Sequence, residues 1–265
     1  MSYRLSIDIG GTFTDSVLLN EETGEIRYWK SPSTPADYSE GVMDSIIKIY
    51  TPLDKVGFFT HGTTVGINAL IQGKAAQTGL ITTKGWRDSI EIGRSNRIEM
   101  YDPLYRKPRP LVPRRYRCEV TERLDYKGDT LAKLNKEDVH DAVKIFKYAK
   151  LPAVAICLLN SYVNPSHEES IKEIVRASYP GAFISISSDI TREYREYERT
   201  CTTIINASLM PIISRYLAQL EEKFVGAGYP KGQEIYIMQS NGGIMASKIA
   251  KELPVYTVES GQAGG

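Results

Sequence analysis

Within its first 32 residues the chain carries three strand-like runs joined by turns too short to hold a helix. "YRLSIDIG", "TDSVLLN" and "EIRYWK" have strand character, and "EETG" supplies the turn between the second and third. The apolar period then changes. In "STPADYSEGVMDSIIKIY", Val42, Ile46 and Ile49 recur at helical spacing. Thr34 is the expected N-cap, Pro35 the first helical residue, and Asp37 part of the first turn. A meander followed by a helix commits the chain to an α/β fold with a mixed sheet.

Strand and helix signals go on alternating. "VGFFTHG" reads as a strand, "TTVGINALIQG" as a short helix closed by Gly73, and "AQTGLITT" as another strand. Residues 96–115 hold four prolines among arginines, which marks an extended loop. "RRYRCEVTERLDYKGD" is strand-like with a Gly-Asp turn, and "NKEDVHDAVKIFKYAK" is helical with Asn135 as its cap. "AVAICLLN" is a continuous apolar run, as a buried strand requires. "NPSHEESIKEIVRASYPG" gives a further helix and "AFISISS" a further strand. The charge-dense "REYREYERT" reads as a solvated helix face or loop. It opens a long helical pattern to Val225, bent at Pro211. "EIYIMQSNGGIM" and "PVYTVESGQAGG" each read as a strand entering a glycine turn. The composition change near residues 188–200 places a domain boundary there, giving regions 1–190 and 191–265.

Composition excludes several functions. Thirty-three Lys and Arg face 32 Asp and Glu, so a net charge of +1 offers no electrostatic case for nucleic acid or a membrane surface. No apolar run approaches the ~20 residues that span a bilayer, and the N-terminus has no signal-peptide core. Cys118, Cys157 and Cys201 suit neither a disulfide framework nor a zinc site, which points to a reducing, cytoplasmic setting. His61, His140 and His167 show no metal-binding spacing.

The chemistry concentrates in "DIGGTFTD". Asp8 ends the first strand and is followed by Gly10 and Gly11, which permit positive φ and close approach to a ligand. Successive amides in such a turn form a concave anion site, and Thr12 and Thr14 can add hydroxyls to it. An aspartate beside phosphate requires a cation between them, so Asp8 is a candidate Mg²⁺ ligand. Asp15 either supports it or caps the turn. An ordinary hairpin uses the same residues, and spacing alone leaves both readings open.

The full string resembles the first phosphate motif of the actin-like ATPase superfamily, which includes sugar kinases and chaperones. That resemblance implies an actin-like ATPase (ribonuclease H-like) fold and a hairpin wrapped around nucleotide phosphates. The blocks "FFTHGTTVGINALIQGKAAQTGLITTKGWRDSIEIGR", "PLVPRRYRCEVTERLDYKGD", "VAICLLNSYVNPSHE", "REYREYERTCTTIINASLMPIISRYL" and "IMQSNGGIM" resemble the hydantoinase A and oxoprolinase family, in family order and over essentially the whole chain. The resemblance implies the ATP-binding part of an ATP-dependent cyclic-amide hydrolase of the hydantoin or 5-oxoproline type. A ketone carboxylase subunit and a truncated, non-catalytic assembly module are the alternatives. ATP and Mg²⁺ are the implied cofactors and a hydantoinase-B-like subunit the implied partner.

The family places His61, Thr63 and Thr64 near the active site, where threonines and amides at a helix start favour an anion; N-capping alone is the competing account. Asn68 serves polar packing or ligand contact. Among Arg87, Asp88, Glu91 and Arg94, a paired surface face is as good an account as function, and Arg94 is the better candidate for an anion or carbonyl contact. Asn241 and Gly242 are candidate substrate contacts or a structural turn. Gln262 stands where relatives have proline, and no second DxGGTxTD-like string occurs, so the sequence reads as an N-terminal segment of a longer family member.

Overall fold

The computed structural model describes residues 3–34, 37–50, 52–94 and 99–261. The chain opens with strands β1 (Tyr3–Ile9), β2 (Phe13–Asn20) and β3 (Ile26–Pro32), then α1 (Tyr38–Lys48), β4 (Val56–Thr63) and α2 (Val65–Ile71). It continues through β5 (Thr78–Thr83), α3 (Ser89–Ile92), β6 (Arg117–Val120), β7 (Arg123–Leu124), β8 (Thr130–Ala132) and α4 (Lys136–Tyr148). Then come β9 (Ala153–Cys157), α5 (Ser166–Ser178), β10 (Phe183–Ile186), α6 (Ser187–Ile190) and α7 (Glu196–Gly226). Strands β11 (Tyr236–Met238) and β12 (Ile244–Ala246) lead to α8 (Ser247–Glu252). The chain divides into two compact units: unit 1 is residues 1–75 and 212–265, and unit 2 is residues 76–211.

Unit 1 is built on a six-stranded sheet ordered β12-β11-β4-β1-β2-β3. The meander β1–β2–β3 is antiparallel, while β4 lies parallel to β1 and β11 parallel to β4. The carboxyl ends of β1, β4 and β11 therefore share one rim. Side chains alternate across the sheet. Leu5, Ile7, Ile9, Leu18, Phe59 and Ile237 are fully buried on one face. There Phe59 meets Phe224 of α7 at 4.6 Å, and Ser16 of β2 bonds to Ser45 of α1. The opposite face holds Asp8, Phe13, Asp15, Val17 and Tyr28, and of these all but Asp8 are exposed.

Unit 2 holds a four-stranded, wholly parallel sheet ordered β10-β9-β5-β6, with β7 and β8 pairing separately. All five residues of β9 are buried, as its apolar run predicts. Val139, Val143 and Phe146 of α4 and Ile171 and Val175 of α5 pack with Val154 and Ile156, while Ile204 and Ala207 of α7 join Leu80 and Ala153.

Three local expectations change. The N-cap of α1 is Asp37, whose carboxylate accepts from the Ser39 amide at 2.9 Å, rather than Thr34. Thr34 still serves the helix start, because its Oγ1 accepts the Gly41 amide at 2.9 Å; Pro35 lies outside the described residues. "PVYTVESG" is no strand. Pro254 opens a 3-10 turn, Pro254–Thr257, a position that suits its fixed φ, and Thr257 Oγ1 donates back to its carbonyl at 2.8 Å. Gln262 and the glycines after it lie outside the described residues. "REYREYERT" is not wholly solvated, for Arg199 is buried. Helix α7 continues through Pro211, beside which the division between the units falls.

Candidate functional site

Asp8 sits one residue from the end of β1, on the open face of the unit 1 sheet, and is partly buried. Its Oδ1 is buried and makes no hydrogen bond. The carboxylate lies over Gly62, its register partner on β4; a Cβ at Gly62 would stand 2.3 Å from that oxygen. Gly261 closes the far side, where a Cβ would lie 3.6 and 3.7 Å from the two carboxylate oxygens and 3.3 Å from Thr64 Cγ2. Glycines thus make room for a carboxylate with one oxygen that nothing among the described residues satisfies.

Asp15 pairs directly across from Asp8 on β2, so both carboxylates share a face. Burial raises the Asp8 pKa above the ordinary carboxylate value, and the Asp15 charge raises it further. Lys30 does not relieve this, because its Nζ goes to Asp15 at 2.8 and 3.0 Å. The tip between the strands is fixed. Gly10 donates to Phe13 O at 2.8 Å, Ser33 N to Thr12 O at 2.8 Å, and Ser33 Oγ to Gly10 O at 2.9 Å. Neither Gly10 nor Gly11 uses the positive φ that glycine permits. Their use is steric: a Cβ on Gly10 would press on Phe13 O at 3.0 Å, whereas Gly11 and Thr12 are exposed.

Thr64 joins the strand end to α2. Its amide and Oγ1 both donate to Ile9 O, at 3.1 and 3.0 Å, and it accepts from Asn68 Nδ2 at 3.1 Å. Asn68 Nδ2 is also the nearest atom to a Cβ built on Gly11, at 3.9 Å. Ser260 clamps the neighbouring backbone: its Oγ donates to Thr63 O at 3.1 Å and accepts from Thr63 N at 3.4 Å. Asp8, Asp15, Gly10, Gly11, Thr12, Thr64 and Asn68 therefore converge on one rim. Asn241 and Gly242 form the β11–β12 turn on the same rim, two strands from β1; Gly242 has φ +82° and Asn241 Oδ1 accepts from Gly243 N.

Other candidates lie elsewhere. Thr14 is buried on the helix-facing side, bonded to Ser33 Oγ at 3.1 Å. Thr63 is buried, and its Oγ1 accepts the Val65 amide at 3.2 Å. Arg94 belongs to unit 2 and pairs with Glu198 there. His61 points into the unit 1 core: its Nδ1 donates to Ile7 O at 3.0 Å, and its Nε2 accepts from Tyr216 OH at 2.6 Å. Burial lowers its pKa to about 4. The unfolded chain therefore takes up this proton first, and stability falls as pH drops from about 6.5 toward 4, by about 3 kcal/mol. Urea unfolding of wild type and His61→Gln at pH 7 and 4.5 checks this; the variant should lose less stability on acidification.

The set of groups at Asp8 fits a hard divalent cation. It offers oxygen donors only, an unsatisfied buried carboxylate oxygen and a second carboxylate opposite. Among the described residues no group of three or more His, Cys, Asp or Glu could hold a metal, so an all-protein cage is absent. Mg²⁺ needs none, since it is commonly held by one or two carboxylates together with substrate phosphates. No described helix is long and apolar enough to cross a membrane.

The fold is of the actin-like ATPase type, an α/β arrangement with a mixed sheet. Solved structures that match it include the ATP-dependent caprolactamase from Pseudomonas jessenii, with TM-score 0.88 and 33% identity over 98% of this chain and 39% of that one, and nucleotide-free acetone carboxylase, with TM-score 0.83 and 28% identity over 99% and 39%. The hydantoinase/oxoprolinase N-terminal region matches residues 4–179, and the hydantoinase/oxoprolinase family matches residues 199–265. The chain belongs to the hydantoinase/oxoprolinase family. In sequence it is 34% identical to caprolactamase subunit alpha of P. jessenii over 98% of this chain and 38% of that protein. It is 31% identical to the acetophenone carboxylase gamma subunit of Aromatoleum aromaticum over 90% and 35%. The chain thus spans under two-fifths of these relatives.

The glycine opposite Asp8 and the Ser260 clamp escaped sequence reasoning as partners. "HGTT" was visible as a strand meeting a helix and "VESG" as a strand entering a turn, but only strand register pairs Gly62 with Asp8.

Proposed function

We propose that this chain is the ATP-binding part of an ATP-dependent cyclic-amide hydrolase of the hydantoin or 5-oxoproline type. The observation that carries the reading is the orphaned Asp8 carboxylate, held over Gly62 beside an exposed glycine hairpin. Asp8, with Asp15 opposite, would hold Mg²⁺, which when bound neutralises phosphate charge. Gly11 and Thr12 would meet the phosphates, with Asn68 and Thr64 steadying the hairpin from α2. Phosphorylation of the ring amide oxygen by ATP would release ADP and activate the amide carbon. After water adds to that carbon, the ring C–N bond would break with the nitrogen leaving as the amine, and a second water would hydrolyse the resulting acyl phosphate to carboxylate and phosphate. The protein's part is positioning and charge stabilisation.

The rest of this reading comes from the family. Relatives named as subunits support a partner, for which we propose a hydantoinase-B-like subunit, with the complex in the cytoplasm. Regions 1–190 and 191–265 are read as the N-terminal region and the start of the core domain. Acetophenone and acetone carboxylases among the relatives favour a second reading, a ketone carboxylase subunit. The test measures ATP hydrolysis by the full-length protein with its partner, offered hydantoin, 5-oxoproline, or acetophenone with and without bicarbonate. Stimulation by a cyclic amide is expected. Stimulation by ketone only with bicarbonate selects the carboxylase, and none by any substrate selects a non-catalytic assembly module.

A further inference from the structure

We propose that unit 2 carries a separate site for a small polyanion, a phosphorylated or polycarboxylate molecule, in the cavity beside the edge strand β6 and helix α4. The cavity has a volume of about 650 Å³ and is lined by unit 2 residues throughout. That size is typical of small-molecule sites. Its cations come from three places: Lys84 and Arg87 follow β5, Arg114 and Arg115 end the proline- and arginine-rich loop, and Arg117 opens β6. Ala142 and Ile145 of α4 add an apolar wall.

The carboxylates at the cavity are engaged. Glu119 accepts from the Gly85 amide at 2.7 Å, Asp138 from the Thr121 amide at 2.7 Å, and Asp141 from Lys144 at 2.8 Å. The cations are less well matched. Arg114 is held by Asp88 at 2.9 Å, but Arg87 reaches Glu119 only at 3.7 Å. Arg115 stacks on the Tyr116 ring at 4.6 Å without an ion pair, and Lys84 has no side-chain partner among the described residues.

Arg117 fixes the start of β6 at the cavity wall. Its side chain is only 1% exposed, and its guanidinium is fixed by Val112 O at 2.8 Å and Glu91 at 2.7 Å. Yet its buried Nη1 makes no hydrogen bond, and the nearest carboxylate oxygen, on Asp88, is 3.5 Å away. Crowding cations is costly, and Lys84 and Arg115 are exposed and unpaired among the described residues. An anion in the cavity would offset that cost and pair both, and the planar guanidinium fork of Arg115 matches phosphate and carboxylate oxygens. Cys118 also lines the cavity, but burial pushes its thiol up to about 11, so the site binds rather than reacts.

Calorimetry on this chain with pyrophosphate and with citrate tests the proposal. At least one probe should bind saturably. The exposed pair Lys84→Glu/Arg115→Glu should weaken that binding by about tenfold or more, the milder Lys84→Gln/Arg115→Gln by less, with unchanged circular dichroism. Asp8→Ala should leave it intact. Pyrophosphate alone binding identifies a phosphorylated ligand, and citrate alone a polycarboxylate. Absence of saturable binding, indifference to both double variants, or loss in Asp8→Ala would overturn the site.

Discussion

Asp8→Ala is expected to lower ATP turnover by about 100-fold or more, the scale of losing one preorganised transition-state stabiliser. The same change should not lower the urea midpoint. In the folded protein this carboxylate is desolvated, faces Asp15 and receives no hydrogen bond at Oδ1, so the fold carries it at a cost. Loss of turnover with equal or higher stability separates a functional carboxylate from a structural one. Gly62→Ala is the companion. Its Cβ would stand 2.3 Å from Asp8 Oδ1, so the carboxylate must move and turnover should fall although no acid is removed. Unchanged turnover in folded Asp8→Ala protein would sink the role given to this residue.

Glu168→Ala should destabilise unit 2 by about 3–5 kcal/mol. This fully buried carboxylate accepts from Leu158 N at 2.9 Å, Ser161 Oγ at 2.8 Å, Ser187 Oγ at 2.6 Å, and Ser188 N and Oγ at 2.9 and 2.8 Å. It ties the end of β9 to α5 and α6. Arg199 reaches the same cluster from α7, donating to Ser161 Oγ and Leu158 O, each at 2.6 Å. Truncation leaves buried amides and hydroxyls without an acceptor, which costs more than the bonds themselves are worth. Glu168→Gln should lose less, since it keeps one carbonyl oxygen in place. Urea denaturation measures both; a loss below about 1 kcal/mol for the alanine variant would contradict this role.

Elements with a strong period were legible in the sequence: the meander, the apolar β9, and α4 with its Asn135 cap, which accepts the Glu137 amide at 3.0 Å. Thr14 and His61 were harder to place. A residue in a strand projects to one face or the other by parity, and the turn at Gly10–Thr12 hides the parity of the β2 residues beyond it. Only the pairing of Ile9 with Thr14 shows that Thr14 turns inward and Asp15 outward. The network around Glu168 and Arg199 was illegible for another reason. Both residues lie in charge-rich helical stretches, where composition indicates solvent, and their burial depends on strand ends distant in sequence. Pro254 similarly decided between strand and 3-10 turn by backbone geometry that apolar content does not report.

The return of the chain to unit 1 after residue 211 sets an order of events during synthesis. Strand β4 is complete at Thr63, but its partner β11 begins at Tyr236, so the unit 1 sheet waits for the whole of unit 2 to be made. At typical translation speeds that wait is roughly ten to thirty seconds, ample for unit 2, an uninterrupted stretch of chain, to fold first. During it the β4 edge stands unpaired, the state in which nascent chains are most open to aggregation and chaperone capture. The glycine hairpin is thus made well before Gly261, which flanks its carboxylate, and Ser260, which clamps Thr63 beside it.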